Sequence, residues 1–201
     1  MNNKEFNKKE LLDKLVKVIS DDSFLNQKGL IGEVPFYICP FPPGKLTQMN
    51  DLVKLLKNNL ERMGIRVLHI DLYDLAIDLL EERGSLQKIL KRELTMEKDL
   101  VFDALQGMLN VENYIRPAIA NRIERSDHHV LFITGSGQVF PYIRSHTVLN
   151  NLQSVASDHP LVMFFPGEYR HSESGGTSLD LFGRLHHDKY YRAYDIHHYQ
   201  V

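Results

Sequence analysis

The fold of this chain is decided by two stretches, Leu131-Phe-Ile-Thr-Gly-Ser-Gly-Gln-Val-Phe-Pro-Tyr-Ile-Arg-Ser-His146 and Leu161-Val-Met-Phe-Phe-Pro-Gly-Glu-Tyr169. Each stretch predicts a buried strand that ends in a glycine turn. In a parallel α/β sheet, ligands and partners meet the carboxyl ends of the strands. Because both strand ends carry Arg, His, Glu or Tyr, the two stretches together predict one functional edge of the sheet.

The segments around these strands complete an α/β pattern. Apolar periodicity predicts strands and helices in alternation. The predicted strands are 34–39, 65–72, 129–134, 161–165 and 190–196, and the predicted helices are 9–20, 46–60, 73–83, a short one from 85, 97–109, 111–126 and 146–157. Pro117 must either kink the helix at 111–126 or lie in its first turn. Strands separated by helices imply right-handed crossovers and a mostly parallel sheet. We expect a single α/β domain over 1–201 with a helical insertion at about 73–126.

Composition narrows the class of protein. The 201 residues are 43% hydrophobic and 25% charged, with a net charge of −2, and such a balance is typical of a globular protein. Non-specific nucleic-acid binding usually needs a basic surface, so any contact with nucleic acid is expected to be indirect. One cysteine, Cys39, favours a reducing compartment and a buried thiol. The polar N-terminus has no signal core, and no apolar run approaches the roughly 18 residues of a membrane span. We therefore predict a cytoplasmic protein without a membrane contact.

The first predicted strand leads into a sequence with the layout of a nucleotide-binding P-loop. Pro40-Phe-Pro-Pro-Gly-Lys-Leu-Thr47 places Gly44-Lys45 between a strand and a helix. A working loop requires G-x-x-x-x-G-K-[ST], but Cys39 occupies the first glycine position and Thr47 comes one residue late. Two prolines also remove amide donors that would bind phosphate. We predict a P-loop-NTPase-like layout without functional Walker motifs.

No complete catalytic or metal-binding motif is present. Ser136 lies in Gly-Ser-Gly rather than in the G-x-S-x-G nucleophile elbow. The adjacent histidine pairs at 128–129, 186–187 and 197–198 place their side chains on opposite faces of a strand, which disfavours chelation of one metal. We expect no catalytic residues, no metal and no cofactor.

Two surfaces remain as binding hypotheses. The turn Gly135–Gly137 can expose successive N–H groups as an anion-binding nest, with Arg144 and His146 nearby. The C-terminal segment 190–199 interleaves tyrosines with Arg192 and histidines, a composition that suits a protein interface or an edge strand packed on the sheet. The candidate partner- or ligand-binding residues are Gly135, Ser136, Gly137, Arg144, His146, Glu168, Tyr169, Tyr191 and Arg192.

Four segments together resemble a known family. They are 132–153, Pro160-Leu-Val-Met-Phe-Phe-Pro-Gly-Glu-Tyr169, Ser178-Leu-Asp-Leu-Phe-Gly183 and Tyr190-Tyr-Arg-Ala-Tyr194. The chain is similar to BrxB, the small component of bacterial BREX phage-defence systems, and the resemblance covers the whole chain. The motif positions that carry over are Gly135, Gly137, Pro141, Arg144, His146, Pro166, Gly167, Glu168, Tyr169, Tyr191 and Arg192.

The resemblance implies a function within an assembly. It implies a cytoplasmic protein that is encoded with a methyltransferase, a large ATPase and the alkaline-phosphatase-like protein PglZ. The family supplies no catalytic residues. The leading hypothesis is therefore a non-enzymatic adaptor that binds another BREX component, with PglZ as the best candidate. The alternatives are a phosphate- or nucleotide-binding switch at Gly135–Gly137, with Lys45 as a second contact, and a nucleic-acid-binding component of the same system.

Overall fold

A computed structural model describes residues 6–27, 34–171, 177–183 and 193–200. The α-helices in these residues are α1 (Lys8–Ile19), α2 (Asp22–Leu25), α3 (Leu46–Arg62), α4 (Leu72–Glu82), α5 (Leu86–Glu93), α6 (Lys98–Met108), α7 (Arg116–Glu124) and α8 (Ser145–Leu152). The strands are β1 (Phe36–Phe41), β2 (Val67–Asp71), β3 (Val130–Thr134), β4 (Leu161–His171), β5 (Thr177–Leu181) and β6 (Tyr194–Asp195). Short 3-10 turns cover Pro43–Lys45 and Ile196–His198, and a π-helical turn covers Val111–Ile115.

The central sheet is parallel and has the strand order β2-β3-β4-β1-β6. β4 pairs in parallel with β1, so that Phe36 lies opposite Leu161 and Phe41 opposite Pro166. The second half of β4 continues past the sheet and pairs with β5 in antiparallel orientation, from Gly167 opposite Leu181 to His171 opposite Thr177. The α/β class and the mostly parallel sheet predicted from the sequence are confirmed.

Each face of the sheet is covered by its own apolar core. On one face, α1, α2 and α3 pack against side chains such as Cys39, Phe132 and Phe164. On the other face, α4, the π-helical turn, α7 and α8 pack against Ile38, Ile133 and other strand residues. Because β1, β3 and β4 are buried on both faces, their sequences are almost continuously apolar. Cys39 is fully buried, as predicted.

The helices of the predicted insertion lie between β2 and β3. The Asp71 carboxylate caps α4 by accepting from the amides of Tyr73 and Asp74, so β2 passes directly into helix. Arg83 then links the end of α4 to α6 and to the π-helical turn. Its Nη1 donates to the Met108 carbonyl at 2.9 Å, and its guanidinium lies 3.9 Å from the centre of the Tyr114 ring. None of the insertion's α5 and α6 side chains is fully buried.

Several predicted boundaries move in the structure. β1 runs two residues further than predicted and includes Pro40. The Pro40 carbonyl accepts from His197 Nε2 on the side of β6. β6 itself pairs only with Tyr37 and Ile38 of β1. The sheet therefore needs no amide donor at Pro40, and a proline is tolerated there. Pro117 lies in the first turn of α7, which was one of the two predicted placements. The predicted helix 146–157 is shorter, because α8 ends at Leu152.

The strand predicted at 161–165 was too short. β4 reaches His171 because residues after Pro166 find a partner in β5, which the periodicity did not reveal. The predicted final strand 190–196 is reduced to Tyr194–Asp195 within the described residues, and its positions 190–192 lie outside them. The loop before α3 forms a 3-10 turn in which the Lys45 amide donates to the Pro42 carbonyl. A likeness to P-loop proteins is not confirmed.

No helix in the part of the chain that the structure describes combines the length and the apolar character that a membrane crossing requires.

Candidate binding groove at the carboxyl edge of the sheet

The glycine turn after β3 is packed against its surroundings. Gly135 has a φ of +78°, and a Cβ added there would lie 2.5 Å from Asp71 Oδ1 and 2.9 Å from the Tyr73 amide nitrogen. A Cβ at Gly137 would lie 2.6 Å from Pro166 Cγ. The glycines are therefore needed for close approach. The Asp71 carboxylate at the turn also repels an anion, so this geometry favours a packing role for the turn over phosphate binding.

Ser136 is 1% exposed, and its hydroxyl points toward the Phe164 carbonyl at 3.5 Å. A hydroxyl in that position is sequestered from substrate. The amide groups of Gln138 and Val139 both donate back to the Gly135 carbonyl, which closes the turn on itself. The Gly135–Gly137 turn thus resembles a strand-to-helix connection more than an open nest.

A polar chain of three side chains supports this turn from the side of β2. Thr134 Oγ1 lies 2.7 Å from Asp71 Oδ2 and 2.8 Å from His69 Nε2. The carboxylate accepts only, so the hydroxyl donates to Asp71 and accepts from His69, which places a proton on Nε2 of the imidazole. Burial lowers the pKa of His69, consistent with a neutral ring. The chain orients Asp71, whose other oxygen caps α4.

Arg144 and His146 lie at the start of α8. Arg144 is exposed, and its side chain forms no ion pair or hydrogen bond with any described residue. His146 is half-buried in the first turn of the helix. Upstream, the Tyr142 ring packs against Phe102 of α6, with 5.6 Å between the ring centres. The helical insertion is therefore in contact with the segment that leads to Arg144.

A groove of about 440 Å³ opens between the end of β1 and the β4–β5 hairpin. We call it the strand-end groove. Its walls combine prolines, aromatic rings and one pair of opposite charges. The lining residues are Pro40, Phe41, Pro42, Pro43, Gly167, Glu168, Tyr169, Arg170, Phe182 and Gly183.

Arg170 forms the ion pairs at the groove. Its Nη2 lies 2.5 Å from Glu168 Oε2, and its Nε lies 2.9 Å from the same oxygen and 3.4 Å from Asp180 Oδ2. The hydrogen bond that Arg170 donates to the Glu168 carboxylate raises the pKa of the Arg170 guanidinium. Glu168 and Arg170 are both exposed, whereas Asp180 is 4% exposed. The predicted binding residue Glu168 therefore presents a paired carboxylate at the rim.

Phe182 forms the most conspicuous part of the groove wall. The residue is 40% exposed, and its φ of +56° is uncommon for a residue with a side chain. The ring is held in place from below. A Cβ at Gly137 would lie 3.2 Å from Phe182 Cε1, and Phe140 meets the Phe182 ring edge-on with 6.4 Å between centres. Gly137 therefore contributes to the site by allowing Phe182 to approach.

Tyr169 connects the groove to the C-terminal segment. Its hydroxyl donates to the Ala193 carbonyl at 2.5 Å. On the far side of Ala193, a second and more apolar groove of about 590 Å³ is lined by Tyr37, Tyr194, Tyr199 and their neighbours. Tyr37 and Tyr199 of this lining pack ring against ring with each other and with the buried Phe24. The predicted binding residues Tyr191 and Arg192 lie outside the described residues.

Sequence reasoning missed Phe182 and Arg170. Phe182 lies in the resemblance segment Ser178-Leu-Asp-Leu-Phe-Gly183, which was its only signal, whereas Arg170 comes directly after the segment that ends at Tyr169. The structure brings Glu168, Tyr169 and Gly137 together with these two residues. Arg144 and His146 do not line the groove, and Gly135 and Ser136 lie beneath the edge rather than on it.

The histidines form no metal centre in the described residues, where no three His, Cys, Asp or Glu side chains come together as ligands. The nearest approach to a histidine cluster is at the amino edge of the sheet. There the rings of His128 and His159 lie 4.8 Å apart, and burial lowers the pKa of His128.

Comparison with known proteins identifies the family. The profile described as "BREX protein BrxB" matches residues 68–196. A protein of Bacillus cereus (strain H3081.97) named "BREX protein BrxB" is 36% identical over 93% of this chain and 96% of its own length. A protein of the same name from Escherichia coli O9:H4 (strain HS) is 28% identical over 92% of this chain and 89% of its own. No solved structure gives a significant match. The chain belongs to the BrxB family, whose members are components of BREX phage-defence systems.

Proposed function

We propose that this protein is a non-enzymatic adaptor of a cytoplasmic BREX assembly and that it binds another component through the strand-end groove. The exposed ring of Phe182 carries this proposal. A large apolar side chain on a strained backbone, fixed against Gly137 and Phe140, is pre-organised for contact rather than for the core. Aromatic residues in such positions commonly contribute most of an interface's binding energy.

The remaining groove residues fit the same role. Pro42 and Pro43 provide a rigid wall, since proline loses little conformational entropy when it is covered. The Glu168–Arg170 pair provides polar contacts at the rim, where charges determine specificity more than affinity. The unpaired Arg144 adds a cation at the same edge of the sheet. Ser136 is buried and the Gly135 turn is closed, so this turn offers no exposed nucleophile, which supports a binding role.

The PglZ-type component is the proposed partner, in keeping with the family resemblance. The test is co-purification of the tagged protein with that component, followed by size exclusion with light scattering. We expect a stoichiometric complex for the natural sequence. The variant Phe182→Asn removes the ring while asparagine still adopts the positive φ, and we expect it to weaken binding by about tenfold or more. Arg144→Glu is expected to weaken binding in the same direction.

A matched control keeps this experiment specific. Leu55 on α3 is exposed to a similar degree, at 45%, and does not line the groove. Leu55→Gln is therefore expected to bind like the natural sequence. Unchanged complex formation by Phe182→Asn would reject the groove as the binding surface. Unchanged complex formation by Arg144→Glu would reject a partner contact at Arg144, and the absence of any complex would reject the adaptor role with this partner.

A further inference from the structure

The helical insertion carries a second apolar surface that does not overlap the strand-end groove. Leu94 at the end of α5 is 90% exposed and Leu90 is 49% exposed. Leu86 and Ile89 of the same helix pack against the core. Since side chains four residues apart lie on one face of a helix, Leu90 and Leu94 form a stripe beside the core-facing residues, turned toward solvent.

Cations dominate the solvent side of this helix. Lys88, Lys91 and Arg92 are all exposed, and their side chains form no ion pair or hydrogen bond with any described residue. Helical spacing places Lys91 next to the leucine stripe and the other two further around the solvent side. The helix's single acid, Glu93, is also exposed and lies three residues after Leu90, in line with Leu86 and Ile89. Three exposed cations therefore stand against one exposed acid on this helix, and a partner that covers the stripe from solvent approaches a net positive surface.

We infer that this surface, the α5 face formed by Leu90, Leu94, Lys88, Lys91 and Arg92, binds an acidic amphipathic helix of a partner protein. The leucines supply apolar area that water now covers. The unpaired cations supply complementary charge, which directs the orientation of the partner and excludes basic partners. Helix-in-groove recognition uses the same combination of an apolar stripe and flanking charge.

The charges and the size of the surface disfavour the two other occupants. A second copy of this chain would bring the same three cations to an isologous contact, so net positive surfaces would face each other. A lipid surface would meet a helix of 8 residues, about 12 Å long, which is too short to bury a wide apolar face. Because few leucines are involved, we expect binding to be weak and to weaken further with salt.

The α5 face can be tested without any other BREX component. The probe is a fluorescent synthetic peptide with leucines at helical spacing and glutamates beside them, and its partner probe has lysines in place of the glutamates. We expect the glutamate peptide to bind at least about tenfold more tightly than the lysine peptide, with affinity falling as salt is added. The double variants Leu90→Glu/Leu94→Glu and Lys91→Glu/Arg92→Glu should each lose about tenfold or more in affinity.

The matched control uses α3, where Lys54 and Leu55 are adjacent and exposed as Lys91 and Leu90 are. Lys54→Glu/Leu55→Glu should bind the glutamate peptide like the natural sequence. Circular dichroism melts of all variants should coincide with that of the natural sequence, since the changed side chains contribute little to the core.

Three results would overturn the inference. The first is equal binding of the two peptides, or no binding of either. The second is binding to vesicles of anionic phospholipid that is lost in the Leu90→Glu/Leu94→Glu variant, which would assign the face to a membrane. The third is a dimer of the natural sequence that this variant dissolves, which would assign the face to a second copy. Failure here leaves the groove proposal intact, because the Phe182→Asn and α5 variants change separate residues and are measured against different ligands.

Discussion

The two glycine-bearing strand ends are similar in sequence and different in structure. After β3, the chain turns at Gly135–Gly137 and closes on Asp71 and Pro166, leaving Ser136 almost fully buried. Within β4, the chain passes through Gly167 without turning and projects Glu168 and Arg170 outward. A glycine after an apolar strand therefore does not identify a binding loop. The two strand ends differ in the structural element that contacts the residues after the glycine.

The contacting element is a helix at one strand end and a strand at the other. The turn after β3 meets the first residues of α4, whose cap already occupies the space. The residues after Gly167 pair instead with β5, which keeps the strand extended beyond the sheet. Extended residues alternate between two faces, so Glu168 and Arg170 share one side while Tyr169 reaches Ala193 on the other. The following predictions probe this contrast, in order of decreasing effect.

The closed turn should tolerate substitution least. Gly135→Ala combines a positive φ with a clash against Asp71 and the Tyr73 amide, and we expect a loss of about 4 kcal/mol in the free energy of unfolding. Urea denaturation measures it. Gly84→Ala is the control for the dihedral alone, because Gly84 has a φ of +61° with no atom within 4 Å of its added Cβ. Equal losses in the two variants would contradict a close approach at Gly135.

Substitution at the extended strand end should be nearly as destabilising, but only through steric overlap. A Cβ at Gly167 would overlap the Asp180 carbonyl oxygen and lie 2.8 Å from Phe165 Cε1. We expect Gly167→Ala to cost about 3 kcal/mol, because a backbone carbonyl cannot rotate away, and to weaken partner binding by displacing β5. Gly44→Ala, which meets no atom within 4 Å, should change the unfolding free energy by less than about 0.5 kcal/mol.

The polar chain beneath the closed turn should contribute a smaller amount. Thr134→Val keeps the shape but removes the hydroxyl that joins His69 to Asp71, and we expect a loss of about 1–2 kcal/mol in urea denaturation. Thr95 is an exposed threonine whose hydroxyl bonds only the nearby Arg92 carbonyl, so Thr95→Val should fall within about 0.5 kcal/mol of the natural sequence. Equal effects would show that the chain does not stabilise Asp71.

The smallest expected effect is the pH dependence at the amino edge, far from both strand ends. Burial lowers the pKa of His128 below its ordinary value of 6.5. As the pH falls below 6.5, the unfolded chain therefore binds a proton at this residue before the folded chain does. Stability that is present above pH 6.5 is lost as the pH falls toward the lowered pKa. His128→Gln should flatten this part of the stability profile. An unchanged stability profile in His128→Gln would contradict this assignment.

Much of the fold could be predicted because its signals are local. The stripes of α1 and α3 and the apolar runs of β2 and β3 depend on residues that are close together along the chain. The candidate site was predictable only in part. Glu168 and Tyr169 follow a recognisable strand, whereas Phe182 and Arg170 become site residues only because β5 folds back along β4.

By itself, the sequence determined the α/β class, the parallel sheet with helices between its strands, and the membership in the BrxB family that its sequence motifs indicate. These depend on periodicity and on residue identity, which are properties of the chain. The tertiary structure alone decided that Gly135–Gly137 is closed, that β4 extends to His171, and that Phe41, Glu168 and Phe182 line one groove. Each of these depends on contacts between residues distant along the chain, and such contacts are set by packing and strand pairing rather than by local preference.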